Sequence, residues 1–327
     1  MKKLAIIGTG MSGLTCAHHL KGYAEITLFE KARGVGGRIA TRYAHPFYFD
    51  HGAQYFKATH NDFKNFIDPM LKSNVIQPWC ARFSEYKGYE CIKKGIWTKD
   101  DGYFVDMPGM DAIGQYLAND FNTHLQTPII SIKNTGGLWE LESKSGKRYP
   151  DYDWVIITAP PMQTFNLMPS YFEYYDFLQS FSMSSCFSVM IGLKKPLHLD
   201  FDCAKLSDST ISWISVNSSK PGRERAYSLL VHSSNEWADA HINDSRSDVL
   251  AGLTHETSLT IGQDISNPKH IDMHFWRYAN CRKQVPKLLL VDKVQNLAAC
   301  GDWALGCSVE SAFLNASHIS STIRNLL

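Results

Sequence analysis

Excess charge of either sign is missing from this chain: 33 basic residues face 32 acidic ones, a formal net charge of +1. Nothing in that balance draws it to DNA, RNA or an anionic membrane. Long hydrophobic runs are missing too, since no stretch approaches the roughly 20 apolar residues of a membrane span. Met1-Lys2-Lys3 followed by Leu4 to Ile7 imitates a secretory signal, but the apolar run ends after four residues. A signal core needs about 7–15. Cys-x-x-Cys pairs are absent. Cys16, Cys80, Cys91, Cys186, Cys203, Cys281, Cys300 and Cys307 are scattered over 327 residues, which excludes a disulfide-stapled scaffold. They read as thiols, mostly buried, in a reducing, cytoplasmic compartment. The histidines form no His-Glu-x-x-His and no clustered ligand spacing, so no metal is expected. No Gly-x-Ser-x-Gly elbow offers a serine nucleophile, and neither repeats nor a linker interrupt the chain. What is present suffices for a core: at this length about three quarters of the unfolded surface can be buried, in one large or two medium domains.

The first fifty residues carry the chemistry. Leu4 to Ile7 is a short apolar run suited to a strand buried on both faces. Gly8-Thr9-Gly10-Met11-Ser12-Gly13 follows, then a helical apolar face at Leu14, Ala17 and Leu20, then a strand over 26–29 that ends at Glu30. Gly8 permits the tight turn, Gly10 lets backbone amides approach a pyrophosphate, and Gly13 lets the helix pack on the strand. The helix start, at Met11 and Ser12, offers free amides and partial positive charge to phosphates. Glu30, 22 residues after Gly8, can accept hydrogen bonds from ribose hydroxyls and would repel a 2′-phosphate, which disfavours NADP at this position.

A second glycine-rich turn follows at once. Lys31, Arg33, Gly36, Gly37 and Arg38 supply close backbone approach and a guanidinium fork able to pair with a phosphate oxygen. Asp50-His51-Gly52-Ala53-Gln54-Tyr55-Phe56 gives another tight approach, with polar groups around Gln54.

On these residues the chain resembles the FAD-dependent flavin amine oxidase superfamily, within the glutathione-reductase-like flavoproteins. Arg33 to Arg38 is similar to its Arg-x-Gly-Gly-Arg element with one extra residue. Lys31 to Arg38, Asp50 to Phe56 and the Pro108-Gly109-Met110 step before a helix over 111–119 look like the bacterial renalase branch. The resemblance covers nearly the whole chain. It implies FAD as cofactor and adds contacts from backbone near Ile130 to adenine, from the strand end at Ala159, and from Gly301-Asp302 to the ribityl and pyrophosphate region. It also implies that the helix start at Val309 and Glu310 points at the flavin's pyrimidine edge.

The implied architecture is α/β: a Rossmann-type FAD-binding domain (parallel sheet plus β-meander) with a second α+β substrate domain on a mostly antiparallel sheet. The expected boundaries are 1–62, 104–165 and 286–327 for the FAD domain, and 63–103 and 166–285 for the substrate domain. Strands are predicted over 127–133, 138–142, 147–149, 154–158 and 294–300 beside the cofactor, and over 184–193, 211–216, 227–232 and 271–276 in the substrate domain. A helix is predicted over 61–72, another over 244–261, and a third from Ser308. Trp213, His232, Trp276 and Arg277 fall on or near the substrate-domain strands and are its pocket candidates; ordinary core packing explains each Trp about as well.

Three functions stay open. As in bacterial renalase relatives, the chain would oxidise 2- or 6-dihydro isomers of NAD(P)H to NAD(P)⁺ by hydride transfer to flavin N5, with O₂ reduced to H₂O₂. No side-chain base is then required, because the dihydropyridine nitrogen carries no proton. Alternatively it is a flavin amine oxidase for a small amine or amino acid, which an aromatic cage of Trp213 and Trp276 would favour. The third reading is a non-catalytic flavin-binding or sensor protein. The expected partners are a small-molecule substrate and O₂, with no nucleic acid and no membrane.

Overall fold

In the computed structural model, which describes residues 1–223, 226–282 and 289–327, the run Leu4 to Ile7 lies within the strand Lys2–Ile7. Ala24–Phe29 pairs with one edge of that strand and Trp154–Ile157 with the other, both in parallel. A strand hydrogen-bonded on both sides and covered on both faces has no solvent side, which is why its sequence is continuously apolar. The full sheet runs Asn122–His124, Ala24–Phe29, Lys2–Ile7, Trp154–Ile157, Leu297–Ala299, Leu290–Asp292. Only the last strand is antiparallel to its neighbour. The stretch expected as a strand over 294–300 is a strand only over Leu297–Ala299. Asp292 instead accepts the amides of Val294 and Gln295 at 3.0 Å each and turns the chain there.

Helix Met11–Leu20 follows the first strand, and helix Val309–Arg324 packs along it. Small residues allow the close approach: Ser12 donates to the Ala312 carbonyl at 3.2 Å, and Cys16 lies over the Ala316 carbonyl. Ser308 caps the second helix by accepting the Ser311 amide, worth about 1 kcal/mol. Ile129–Thr135, Leu138–Ser143 and Arg148–Tyr152 form the expected antiparallel meander. These elements belong to one compact unit, built from residues 1–39, 113–182 and 281–327.

The second unit comprises residues 40–112 and 183–280. Its main sheet runs His270–Cys281, Met183–Gly192, Ser228–Ser233, Ile211–Val216, Cys203–Ser207, Arg82–Lys87, Glu90–Ile96. Cys203–Ser207 and Arg82–Lys87 make a parallel pair within this mostly antiparallel sheet. Helices Asn235–Ala240 and Arg246–Ile261 cover one face through Ala238, Val249 and Leu253, packed on Val189, Ile191, Ile214, Leu229 and Val231. The opposite face carries the hairpin Thr41–Ala44 and Phe47–Asp50, which lays Phe47 and Phe49 on Met190 and Leu230. Helix Asn61–Lys72 buries Phe63, Ile67 and Met70 at the expected helical spacing.

The division differs from the expected boundaries. Residues 40–62 and 104–112 lie in the second unit, because the hairpin joins its core. Residues 166–182 lie in the first, where Phe181 meets the edge of Trp303 at 4.8 Å and the Glu173 amide donates to Asp292 at 3.0 Å. The boundary expected between 285 and 286 falls outside the described residues.

Candidate functional site

In the first unit, the glycine turn gathers most of the residues expected to hold a dinucleotide. A Cβ on Gly13 would collide with the Gly8 carbonyl, so the helix approaches the strand only because no side chain stands there. At Gly10 a Cβ would meet nothing within 4 Å, and no side chain caps the helix that begins at Met11. Bare backbone at Gly10 thus adjoins a helix start whose amides carry no side-chain cap. The second glycine turn is tied to the first: the Gly36 amide donates to the Thr9 carbonyl at 2.8 Å, and Gly37 sits against the Cα of Gly10.

Glu30 is buried. One carboxylate oxygen accepts from the Thr9 amide at 3.0 Å and the Thr9 hydroxyl at 2.7 Å, the other from the Ala32 amide at 2.8 Å. A carboxylate has about four acceptor directions, so one is left for a ribose hydroxyl. Arg38 and Asp302, 264 residues apart, form an ion pair. Burial works against the Arg38 cation, but the charge and hydrogen bond of Asp302 outweigh it and its pKa rises. The pair pins the second glycine turn to the short turn at Asp302–Ala304. Gly301 must be glycine there, since a Cβ would strike the Trp303 indole. Trp303 in turn donates to the Ala159 carbonyl at 3.2 Å, which fixes the strand end expected to pass the dinucleotide.

Other expected contacts are placed less tellingly. Lys31 reaches the Gln163 amide oxygen at 3.1 Å, Arg33 is exposed, and Ile130 is exposed at an irregularity in its strand pairing. Val309 and Glu310 begin their helix as expected.

Gly52, Ala53, Gln54 and Tyr55 lie in the second unit. Gln54 is not free to meet a ligand: its amide nitrogen donates to the carbonyls of Asp50 and Gly52, and its oxygen accepts from Ser215 at 2.9 Å and Lys220 at 3.2 Å. It belongs to a buried network centred on Asp50. One Asp50 oxygen accepts from Thr41 and the Met110 amide, the other from Lys220 at 3.0 Å and Arg223 at 2.7 Å. Burial alone would raise the Asp50 pKa, but the two cations together hold it well below the usual carboxylate range. Burial pulls Lys220 down to about 8, with Asp50 opposing.

The pocket candidates separate. Trp213 stands beside Tyr55 at 5.5 Å and Trp97 at 6.4 Å between ring centres. Trp276 stacks on His51 at 5.3 Å and donates to the His51 carbonyl at 2.7 Å. Two strands lie between those carrying Trp213 and Trp276, a separation of about 14 Å at normal strand spacing. The two indoles therefore do not make the aromatic cage considered above. Arg277 is exposed, with its guanidinium 5.7 Å from the Phe275 ring centre. His232 sits opposite Trp213 in the adjacent strand. Lys220 and Arg223 are not among the residues to which the sequence points. Their signal is tertiary: they meet Asp50 across 170 and 173 residues.

Residues 6–70 match the NAD(P)-binding Rossmann-like domain, and residues 80–317 match the flavin containing amine oxidoreductases. The chain belongs to the flavin containing amine oxidoreductase family. This flavin amine oxidoreductase is 23% identical to the renalase of Mus musculus over 313 residues, 87% of either chain. Its fold is similar to that of an Exiguobacterium sp. 255-15 protein assigned as a protoporphyrinogen oxidase (TM-score 0.79, 12% identity, 100% and 99% of the two chains). It is also similar to a fatty acid isomerase of P. acnes (0.75, 10%, 98% of each) and to a putrescine oxidase (0.71, 13%, 98% of each).

The residues of the glycine turn fit the flavin cofactor that the family implies. The open space at Gly10, the uncapped helix start and the spare acceptor direction of Glu30 are what a dinucleotide's phosphates and ribose require. When bound, a flavin supplies a two-electron acceptor that no side chain can. The amides at Met11 and Ser12 would then meet its negative charge, and the Arg38–Asp302 pair holds two loops in register.

Proposed function

We propose that the chain is an FAD-dependent oxidase that returns 2- or 6-dihydro isomers of NAD(P)H to NAD(P)⁺. The substrate loses a hydride and becomes an aromatic pyridinium. O₂ takes up the two electrons and, with one proton from solvent, leaves as H₂O₂. The observation that carries FAD is the geometry at Gly10: bare backbone, an uncapped helix start and Glu30 placed behind it. Likeness to mouse renalase over 87% of both chains supports the substrate class. Val309 and Glu310, and backbone at Ile130 and Ala159, complete the proposed cofactor contacts within the first unit.

Oxidation of a small amine is the second reading, favoured by the grouping of Tyr55, Trp97 and Trp213 into one aromatic wall. Anaerobic mixing of the flavin-loaded protein with 6-dihydro-NAD, β-NADH and a panel of amines separates the two. Bleaching of the visible flavin band by the isomer alone, reversed by air with H₂O₂ release, is the expected result. Bleaching by an amine and not by the isomer would assign amine oxidation instead.

A further inference from the structure

Three neighbouring strands of the second unit's sheet align Ser188, His232 and Trp213 in one row: Ser188 opposes His232, and His232 opposes Trp213. Residues directly opposed in antiparallel strands project from the same face. It is also the face of Met190 and Leu230, which meet the hairpin. The Ser188 hydroxyl, the His232 Nε2 and the Trp213 Nε1 are all shielded from solvent, and none has a hydrogen-bond partner among the described residues. Buried polar atoms are paired in the great majority of cases, so three orphans side by side mark a place the chain leaves for something else.

The protonation of His232 is fixed by its surroundings. Its other ring nitrogen bonds the His51 backbone, whose carbonyl also accepts from Trp276. With Nδ1–H donating to a carbonyl, the neutral ring presents a lone pair at Nε2. Burial favours that neutral form and pulls the His232 pKa down to about 4. The row thus offers one acceptor at His232, one donor at Trp213 Nε1, and a hydroxyl at Ser188 that serves either way. Acids on the same face are already engaged: Asp50 by Lys220 and Arg223, Asp272 by Arg246 and Arg42.

We infer that this row is a recognition site for a neutral primary carboxamide, the group that distinguishes nicotinamide from nicotinate. The amide N–H donates to His232 Nε2, and the amide oxygen accepts from Trp213 Nε1 and Ser188. A carboxylate would set its lone pairs against that of His232, and an ammonium would leave the indole N–H unpaired, with Asp50 and Asp272 already engaged. The inference rests on the dihydronicotinamide reading above and deepens it, adding Ser188 and assigning opposite hydrogen-bonding roles to His232 and Trp213.

The test uses the flavin-loaded protein with nicotinamide, nicotinate and 3-acetylpyridine as equilibrium ligands, read by thermal shift and by isothermal titration calorimetry. Nicotinamide should bind more tightly than 3-acetylpyridine, which keeps the oxygen and lacks the N–H, by roughly 10- to 100-fold, the size of one lost hydrogen bond in a dry site. His232→Leu should erase that preference and His232→Gln, which keeps an acceptor, should retain much of it. Trp213→Phe should weaken both ligands alike. Equal binding of nicotinamide and 3-acetylpyridine, or a preference that survives His232→Leu, overturns the inference. Because binding is measured without turnover, failure of 6-dihydro-NAD to reduce the flavin would sink the proposed reaction while leaving the carboxamide site to be judged by its own titrations.

Discussion

Asp50 has no solvent exposure, and neither has the side chain of Lys220 that it holds. Removing the one anion of such a group leaves its cations as uncompensated buried charges, which costs about 3–5 kcal/mol. Asp50→Asn strands both Lys220 and Arg223 and should cost in that range, read from urea unfolding. Lys220→Met leaves Asp50 bonded to Arg223, Thr41 and the Met110 amide and should cost less than about 2 kcal/mol. A larger loss for Lys220→Met than for Asp50→Asn would contradict this account. Acid stability belongs to other residues. Burial first, then neighbouring charge, pulls His51 down to about 3, and burial pulls His232 to about 4, both from 6.5. As pH falls below 6.5 the unfolded chain takes up these protons before the folded one does, so stability drops between 6.5 and 4. The slope is at most about 1.4 kcal/mol per pH unit for each ring. Asp50 enters only below 3.8, because its folded pKa is depressed. Urea midpoints at pH 7 and 4.5 should fall further in the wild type than in His232→Asn; an equal fall in both would remove His232 from the explanation.

Among the elements, the two glycines of one turn separate packing from binding. Gly13→Ala drives a methyl into the Gly8 carbonyl and should destabilise the apoprotein by a few kcal/mol, as overpacking does. Gly10→Ala meets no protein atom within 4 Å. It should leave the apoprotein melting temperature unchanged and lower flavin content, measured by absorbance per chain. A stable, fully flavinated Gly10→Ala protein would show that phosphate does not sit there. This element was legible in the sequence because every requirement on it is local: strand, turn, helix and acid lie within thirty residues. Arg38 was legible as a cation beside a glycine turn, but its partner Asp302 was not, since 264 residues separate them. Gln54 was read as a ligand contact from its place in a tight motif, and Ser215 and Lys220, which occupy it, lie in a different part of the chain. The hairpin that carries Asp50 went to the wrong side of a boundary for the same reason. Alternation in 41–50 shows that one face is buried without showing which core receives it.

At the scale of the whole molecule, each unit has its own sheet and core, and the chain passes between them at 39–40, 112–113, 182–183 and 280–281. Flavin bound at the glycine turn, as proposed, would stabilise the unit that holds it by about 2.7 kcal/mol at a hundredfold excess over Kd. Hydrogen exchange of the loaded and unloaded forms should therefore show increased protection in Met11–Leu20 and Val309–Arg324, and a smaller change in Arg246–Ile261 of the other unit. Equal gains in all three helices would mean that the units open as one. The strand order of the first sheet sets a further demand, one of timing on the ribosome. Lys2–Ile7 leaves the exit tunnel well before Leu297–Ala299 and the helix Val309–Arg324 are made. At about 10 residues per second, the nascent chain holds its glycine turn on an incomplete sheet for roughly half a minute. Cofactor capture is then expected late in biosynthesis, and a stop codon in place of Ser308 should yield a protein without flavin.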